Sequence, residues 1–426
     1  MNSNDIKPLL KNYLLSNLKS KKNLSIGVEI ENILYDYNLK RINPDLSSII
    51  STEALQKQLI KNDNLNISIE PGGQIEYASS PNSNLKTLHN EILIYRKKLI
   101  EICNDEKIII SDFGVDSIYK HSQVPITKRK KYQLMYKLFS KRGKLSHEMM
   151  LNTASIQLSL DYSSLEEAEN LAFLSDNIHP LLSIIFSNSP FWHSNTTNKK
   201  NIRELIWSQT DSDRCNSLAE HGIIRKQDLI NNYIDFLLSV PTIFQESYNN
   251  VSDFNGSLEK YLNQLKNNNE INNQKLKSVL RQIFTNVRFK DILEIRGADT
   301  PPFGYELASV SFLKGLFRNE KSIEKLLDLC NSWKKNDRLI LIELSKNLDL
   351  NKIWNGKKII SWCEDLISIA IDGLDADEHI YLNSFTNEFL QNGPFSLSIQ
   401  KSFNKNNLSI KEFVKKRWFE KKEMFE

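Results

Sequence analysis

The chain has 426 residues, 40% hydrophobic and 25% charged, with 56 Lys and Arg against 52 Asp and Glu for a net charge of +4. That length makes two to three domains the prior. So even a charge balance gives no argument for a nucleic-acid or membrane-surface binder, and the chemistry must come from local sites. The first 22 residues are polar and hold no apolar run long enough for a secretory or membrane-spanning segment. Cys103, Cys215, Cys330 and Cys363 show neither CxxC nor metal-like spacing. Both features lead us to expect a cytoplasmic protein with free thiols.

Residues 5 to 20 repeat apolar positions at helical spacing, and a strand over 24 to 36 follows, carrying Gly27-Val28-Glu29-Ile30-Glu31. Glu29 and Glu31 are two apart, so a pleated strand projects both from one face and sends Val28 and Ile30 to the other. A helix is predicted over 52 to 61 and a hairpin over 65 to 79, turning at Pro71-Gly72-Gly73, with Glu70 before the turn and Gln74 and Glu76 sharing a face after it. If both strands belong to one sheet, the carboxylates converge. Packed carboxylates repel and need a cation, and hard oxygen ligands select Mg²⁺ or Mn²⁺ over zinc. The alternative is a pair of surface strands with solvated glutamates.

A long helix is predicted from Asn84 to Asn104 and a short strand from Lys107 to Asp112. The stretch 119 to 148 is basic and interleaved with aromatics, including Lys128-Arg129-Lys130-Lys131-Tyr132, and reads as a solvated helix face, an RNA-binding patch or the lining of an anion site. Residues 153 to 162 alternate, with Thr153, Ser155, Gln157, Ser159 and Asp161 on one polar face. A helix runs from Ser164 to Phe186. The loop after it carries Arg203, Trp207, Asp211, Asp213 and Arg214, where arginines either offer forked donors to phosphate or carboxylate or form surface ion pairs. Residues 227 to 248 read as helix and 249 to 275, rich in Asn, Lys and Ser, as a solvated excursion. Leu293 to Asp299 alternates as a strand with Glu294 and Arg296 on one face. From 305 to 426 the pattern is mainly helical, with amphipathic runs at 307 to 317, 321 to 334, 336 to 347 and 358 to 373.

With GVEIE, EPGGQIEY, EMMLNTASIQLSLDY, FSNSPF, RELIWSQTDSDR and LEIRGAD in this order, the chain resembles the plant- and proteobacterial-type glutamate–cysteine ligases over roughly residues 24 to 330. The resemblance implies an α+β fold of the glutamine-synthetase type. Its curved, mainly antiparallel sheet forms an active-site funnel, with helices packed outside and a helical C-terminal part. It divides a single catalytic unit, 1–426, into a ligase core at 24–317 and a mainly helical part at 318–426. It further implies ATP-dependent ligation of L-glutamate to L-cysteine through a γ-glutamyl phosphate, with ATP and Mg²⁺ or Mn²⁺ as cofactors. Partners are then small molecules, without nucleic acid or membrane, in a monomer or homodimer.

Carried over by position, Glu29, Glu31, Glu70, Glu76 and Glu294 are expected metal carboxylates, and Gln157 a metal- or cofactor-directed side chain. Arg203 and Arg296 are expected phosphate- or carboxylate-binding arginines, Arg214 is a further nucleotide-side candidate, and Trp207 is either core or pocket wall. The chain departs from the family pattern at Asn32, Asn152, Ser159 and Lys131, which leaves the amine acceptor open. The alternatives are a ligase that joins glutamate to another amine or serves another thiol pathway, and a non-catalytic nucleotide- or amino-acid-binding member.

Overall fold

A computed structural model of the chain describes residues 6–45, 50–63, 65–247 and 250–424. Its centre is a sheet of seven strands: β1 (Ile26–Asp36), β2 (Ile67–Ile69), β3 (Ile75–Ala78), β4 (Ile108–Ser111), β5 (Ser155–Leu160), β6 (Val287–Phe289) and β7 (Leu293–Asp299). The order is β6-β7-β5-β1-β3-β2, and β4 pairs with the second half of β1. Every pairing within this sheet is antiparallel. The sheet does not close on itself.

Register follows from the alternation. Glu29 lies opposite Gln157 on β5 and Ala78 on β3, while Glu31 lies opposite Glu76. Cross-strand partners share a face, so one polar face gathers Glu29, Glu31, Glu76, Ser155, Gln157 and Ser68. The opposite face presents Val28, Ile30, Ile156 and Leu158, all buried, to the helices Leu165–Ile185, Leu85–Asp105 and Glu306–Phe317. A slip of one residue would exchange the two faces, so burying the apolar one fixes where the glutamates point.

The turn between β2 and β3 needs both of its glycines. Gly73 has φ +81°, and a Cβ on Gly72 would sit 2.4 Å from the Leu151 carbonyl oxygen. Arg41 closes the turn from outside, donating to the Gly72 carbonyl at 2.7 Å and pairing with Asp116 at 2.6 Å. The C-terminal helices Glu306–Phe317, Glu320–Asn331, Lys335–Ser345 and Ile359–Asp372 lie within a few residues of their predicted positions, and Ile380–Asn392, Phe395–Phe403 and Ile410–Lys422 complete the part. The last of them returns to the sheet, where Arg417 grips Asp112 with two hydrogen bonds of 2.9 and 3.0 Å. One hydrophobic cluster runs from Ile6 to Trp418.

Two expectations are corrected. The helix expected over 227 to 248 is Leu229–Ser239, because Pro241 lacks the N–H that would extend it. Residues 245–247 and 250–252 pair as strands instead, and 248 and 249 lie outside the described residues. The segment 249 to 275 is no solvated excursion either. Ser257 caps the helix Leu258–Asn267, which buries Leu258, Tyr261, Leu262 and Leu265, an i, i+3, i+4, i+7 stripe among the Asn and Lys residues. Leu262→Ala is therefore expected to lower unfolding free energy by about 3 kcal/mol, the cost of a buried cavity. A denaturant midpoint matching the wild type would return the segment to solvent.

Candidate active site

The polar face of the sheet floors a cavity of about 440 Å³ lined by side chains of both charges. Glu29 and Glu31 from β1, Glu70 from the turn and Glu76 from β3 supply carboxylates. Arg288, Lys290 and Arg296 from the β6–β7 hairpin, with Arg129, Lys131, Lys277 and Arg281, supply cations, and Ile243, Phe244, Met135 and Phe284 supply apolar wall. Size alone does not pick this site. A groove of about 1050 Å³ beside the helix Leu229–Ser239 is larger, but its three aspartates are already engaged, Asp213 by Arg142 at 2.6 Å, Asp235 by Lys7 at 2.7 Å and Asp228 by Asn231.

The four acidic side chains are half-buried, and the protein opposes ionisation of Glu31, Glu70 and Glu76. Burial, then repulsion from Glu70, pushes Glu31 up to about 7, although Arg203, Arg296 and the Ser155 N–H pull the other way. Burial also raises Glu70, with Glu29 adding repulsion and Lys131 opposing it. Glu76 is raised well above the carboxylate range, by burial and then by Glu29, Glu70 and Glu31 together. Protein donors hold parts of the group: Ser155 N–H and Gln157 Nε2 donate to Glu31 at 2.7 and 3.0 Å, and Ser68 Oγ donates to Glu76 at 2.5 Å. Among the described residues, no three His, Cys, Asp or Glu side chains already stand in metal-binding array. Crowded carboxylates that resist ionisation nevertheless form a donor set that a divalent cation would relieve.

Glu294 does not join them. It is fully buried, its Oε2 accepts from Arg288 at 2.6 Å and Arg296 at 3.0 Å, and its Oε1 accepts from Lys290. Burial alone would raise its pKa, but those three cations overcome it and hold Glu294 well below the carboxylate range. The expectation of a metal carboxylate is thus corrected to an anchor for cations, because a carboxylate already sharing three positive charges repels a fourth. Arg214 is corrected more completely. Wholly buried and outside the cavity lining, it pairs with Asp211 at 2.8 Å and donates to the carbonyls of Gln282 and Pro241, stapling the loops that carry Arg281 and Ile243.

Arg296 lines the cavity, donating to Gln157 Oε1 at 2.5 Å. Arg203 lies one layer behind, 5% exposed, with Nη2 on the Arg296 carbonyl at 3.1 Å and Nη1 3.8 Å from Asp299. Of the basic run, Arg129 and Lys131 face the cavity. Sequence reasoning missed Arg288 and Lys290. Their two-residue spacing was a signal, but only the hairpin register, which sets Arg288 opposite Glu294, reveals it.

Of the four departures from the family pattern, Lys131 alone lines the cavity. Asn32 is buried on the other sheet face, between Arg96 Nη1 at 2.6 Å and the Ser111 carbonyl at 3.0 Å. Asn152 donates to Glu148 at 2.7 Å, and Glu148 also accepts from His121 and His193.

The antiparallel sheet with this charged cavity on its polar face has counterparts among solved structures. The chain aligns with a solved glutamate–cysteine ligase from Francisella tularensis in complex with AMP, at TM-score 0.63 and 10% identity, covering 96% of this chain and 90% of that one. A bifunctional glutathione synthetase from Pasteurella multocida aligns at TM-score 0.51 and 13% identity, over 98% of this chain and 53% of that one. Residues 25–349 match the family described as glutamate-cysteine ligase family 2, and the chain belongs to that family. It is 27% identical to the chloroplastic glutamate–cysteine ligase of Arabidopsis thaliana over 388 residues, 85% of this chain and 72% of the relative. The Brassica juncea enzyme is also 27% identical, over 85% of this chain and 74% of the relative.

Folded Glu31 keeps its proton up to about pH 7, whereas the unfolded chain releases it near 4.5. The folded form binds more protons between those values, so stability falls as pH rises through that window. In chelator, melting temperature is expected to drop from pH 5 to pH 8, and Glu31→Gln to flatten the drop. An equal drop in both proteins would contradict the crowding of Glu31.

Proposed function

We propose that the protein is an ATP-dependent ligase that joins the γ-carboxylate of L-glutamate to the amine of L-cysteine, giving γ-glutamylcysteine, ADP and phosphate. The observation that carries this reading is one cavity lined by four carboxylates and a set of basic side chains, in a chain of this family. Amide formation from a free carboxylate is uphill in water. ATP solves this: a γ-carboxylate oxygen attacks the terminal phosphorus and the bond to ADP breaks. The cysteine nitrogen then attacks the acyl carbon, loses a proton, and expels phosphate with its bridging oxygen.

The residues divide that work by charge. Arg288, Lys290, Lys131 and Arg129 offer a polyphosphate positive charge, while Ile243, Phe244 and Met135 give an adenine ring an apolar wall. Arg296 is bonded to both Gln157 and Glu294, and its planar fork suits a phosphate oxygen or a substrate carboxylate. Glu29, Glu31, Glu70 and Glu76 would hold Mg²⁺ or Mn²⁺, which when bound supplies neutralisation of phosphate charge. Gln157 orients two of these groups at once, donating to Glu31 and accepting from Arg296.

Among the described residues, no helix is long and apolar enough to cross a membrane. All four cysteines are buried and unpaired, in keeping with a reducing compartment such as the cytoplasm. As Asn32 and Asn152 lie off the cavity, neither argues for a different amine, and cysteine is the acceptor we assign.

The test is ADP formation with glutamate, with and without cysteine, followed by product mass. Full turnover with cysteine absent, or a product lacking the cysteine mass, would sink the assignment. Glu76→Gln is expected to cut kcat on the order of a thousandfold while leaving the melting temperature at or above wild type, since it removes a repelled charge rather than core volume. Arg296→Lys should lower kcat/KM about tenfold or more, and near-wild-type kinetics with a lowered melting temperature would make Arg296 a structural ion-pair residue.

A further inference from the structure

Trp207 lies on the helix Ile202–Ser208, four residues after Arg203 and hence on the same side of it. The guanidinium carbon of Arg203 is 5.9 Å from the centroid of its ring, and that of Arg296, arriving from β7, is 5.6 Å away. One indole therefore serves two cations from different elements. Those cations are also tied to each other, since Arg203 Nη2 donates to the Arg296 carbonyl at 3.1 Å.

Two guanidiniums so placed repel. Burial lowers the pKa of Arg203, and the charge of Arg296 adds to that effect against the pull of Asp299 and Glu31. Glu294 compensates Arg296 at 3.0 Å, but Asp299 stands 3.8 Å from Arg203, beyond hydrogen-bond length. Beside Glu31, which feels both charges, the negative face of the indole is a surface both cations share. Its N–H plays no part, because Trp207 Nε1 is buried without a hydrogen-bond partner.

Building on the ligase reading, we infer that Trp207 is a positioning residue: its ring face holds Arg203 and Arg296 together and fixes the angle at which Arg296 enters the cavity. The geometry calls for an aromatic face, not merely an apolar volume, so Phe and Leu separate the two roles. Trp207→Phe should keep kcat/KM within about threefold of wild type. Trp207→Leu should lower it tenfold or more, mainly through a raised KM for glutamate or ATP, with both variants melting at similar temperatures. Equal kinetics in the two would overturn the inference and leave Trp207 as packing.

A second measurement needs no turnover. Arg296→Gln removes a cation from beside the indole, so it should change tryptophan emission in the otherwise wild-type protein and leave it unchanged in the Trp207→Phe background. No change in the first background would refute the juxtaposition. Failure of the ligase reading would instead appear as wild-type protein without glutamate-dependent ADP formation, which the emission result does not depend on.

Discussion

Like-charge repulsion on one face of one strand is the constraint around which the molecule is built. Glu29 and Glu31 share a face of β1 because strand side chains alternate, and Glu76 comes opposite Glu31 because β3 pairs in that register. The carboxylates would move apart if the strand could slide or turn over. It cannot, since Val28 and Ile30 on the reverse face are buried against helices, and exposing such side chains costs about 1.5–3 kcal/mol each. Apolar burial on one side of the sheet thus supports electrostatic crowding on the other.

The cations of the β6–β7 hairpin follow similar logic with the sign reversed. One carboxylate, Glu294, is shared by Arg288, Lys290 and Arg296. A single negative charge cannot neutralise three positive ones, so the hairpin keeps an excess of positive charge while its geometry stays fixed by hydrogen bonds. A buried charge with several good partners is tolerated where an isolated one is not. The cavity is therefore polarised before any ligand enters, and a polyanion meets fixed dipoles and charges that need no rearrangement.

Much of this was legible in the chain. Period-two alternation announced Glu29 with Glu31 and Glu294 with Arg296, because a strand's faces depend on parity alone. Whether a side chain on the right face stays free is a different matter. Glu294 is consumed by Arg288 and Lys290, which reach it across a hairpin, and Arg214 is consumed by carbonyls of Gln282 and Pro241, distant in sequence. Loop arginines carry no periodicity to betray such partners. The stripe Leu258, Tyr261, Leu262 and Leu265 was legible in principle, but the surrounding Asn and Lys residues dominated the composition, and four apolar positions sufficed to bury the helix.

Parity also decides which departures from the family pattern bear on chemistry. Asn32 follows Glu31 directly, so its side chain leaves the opposite face, where it accepts from Arg96 Nη1 and donates to the Ser111 carbonyl. Arg96 is itself fully buried and bound through Nε to Glu306 at 2.8 Å. A basic side chain at 32 would set a second buried cation against that guanidinium, whereas an amide supplies the acceptor that Arg96 requires. Asn32 is in this way matched to Arg96, and its effect stays within the packing between the sheet and the helices Leu85–Asp105 and Glu306–Phe317. One residue away, across the same backbone, Glu31 faces the cavity, so the chain can vary the one position without disturbing the charge of the other.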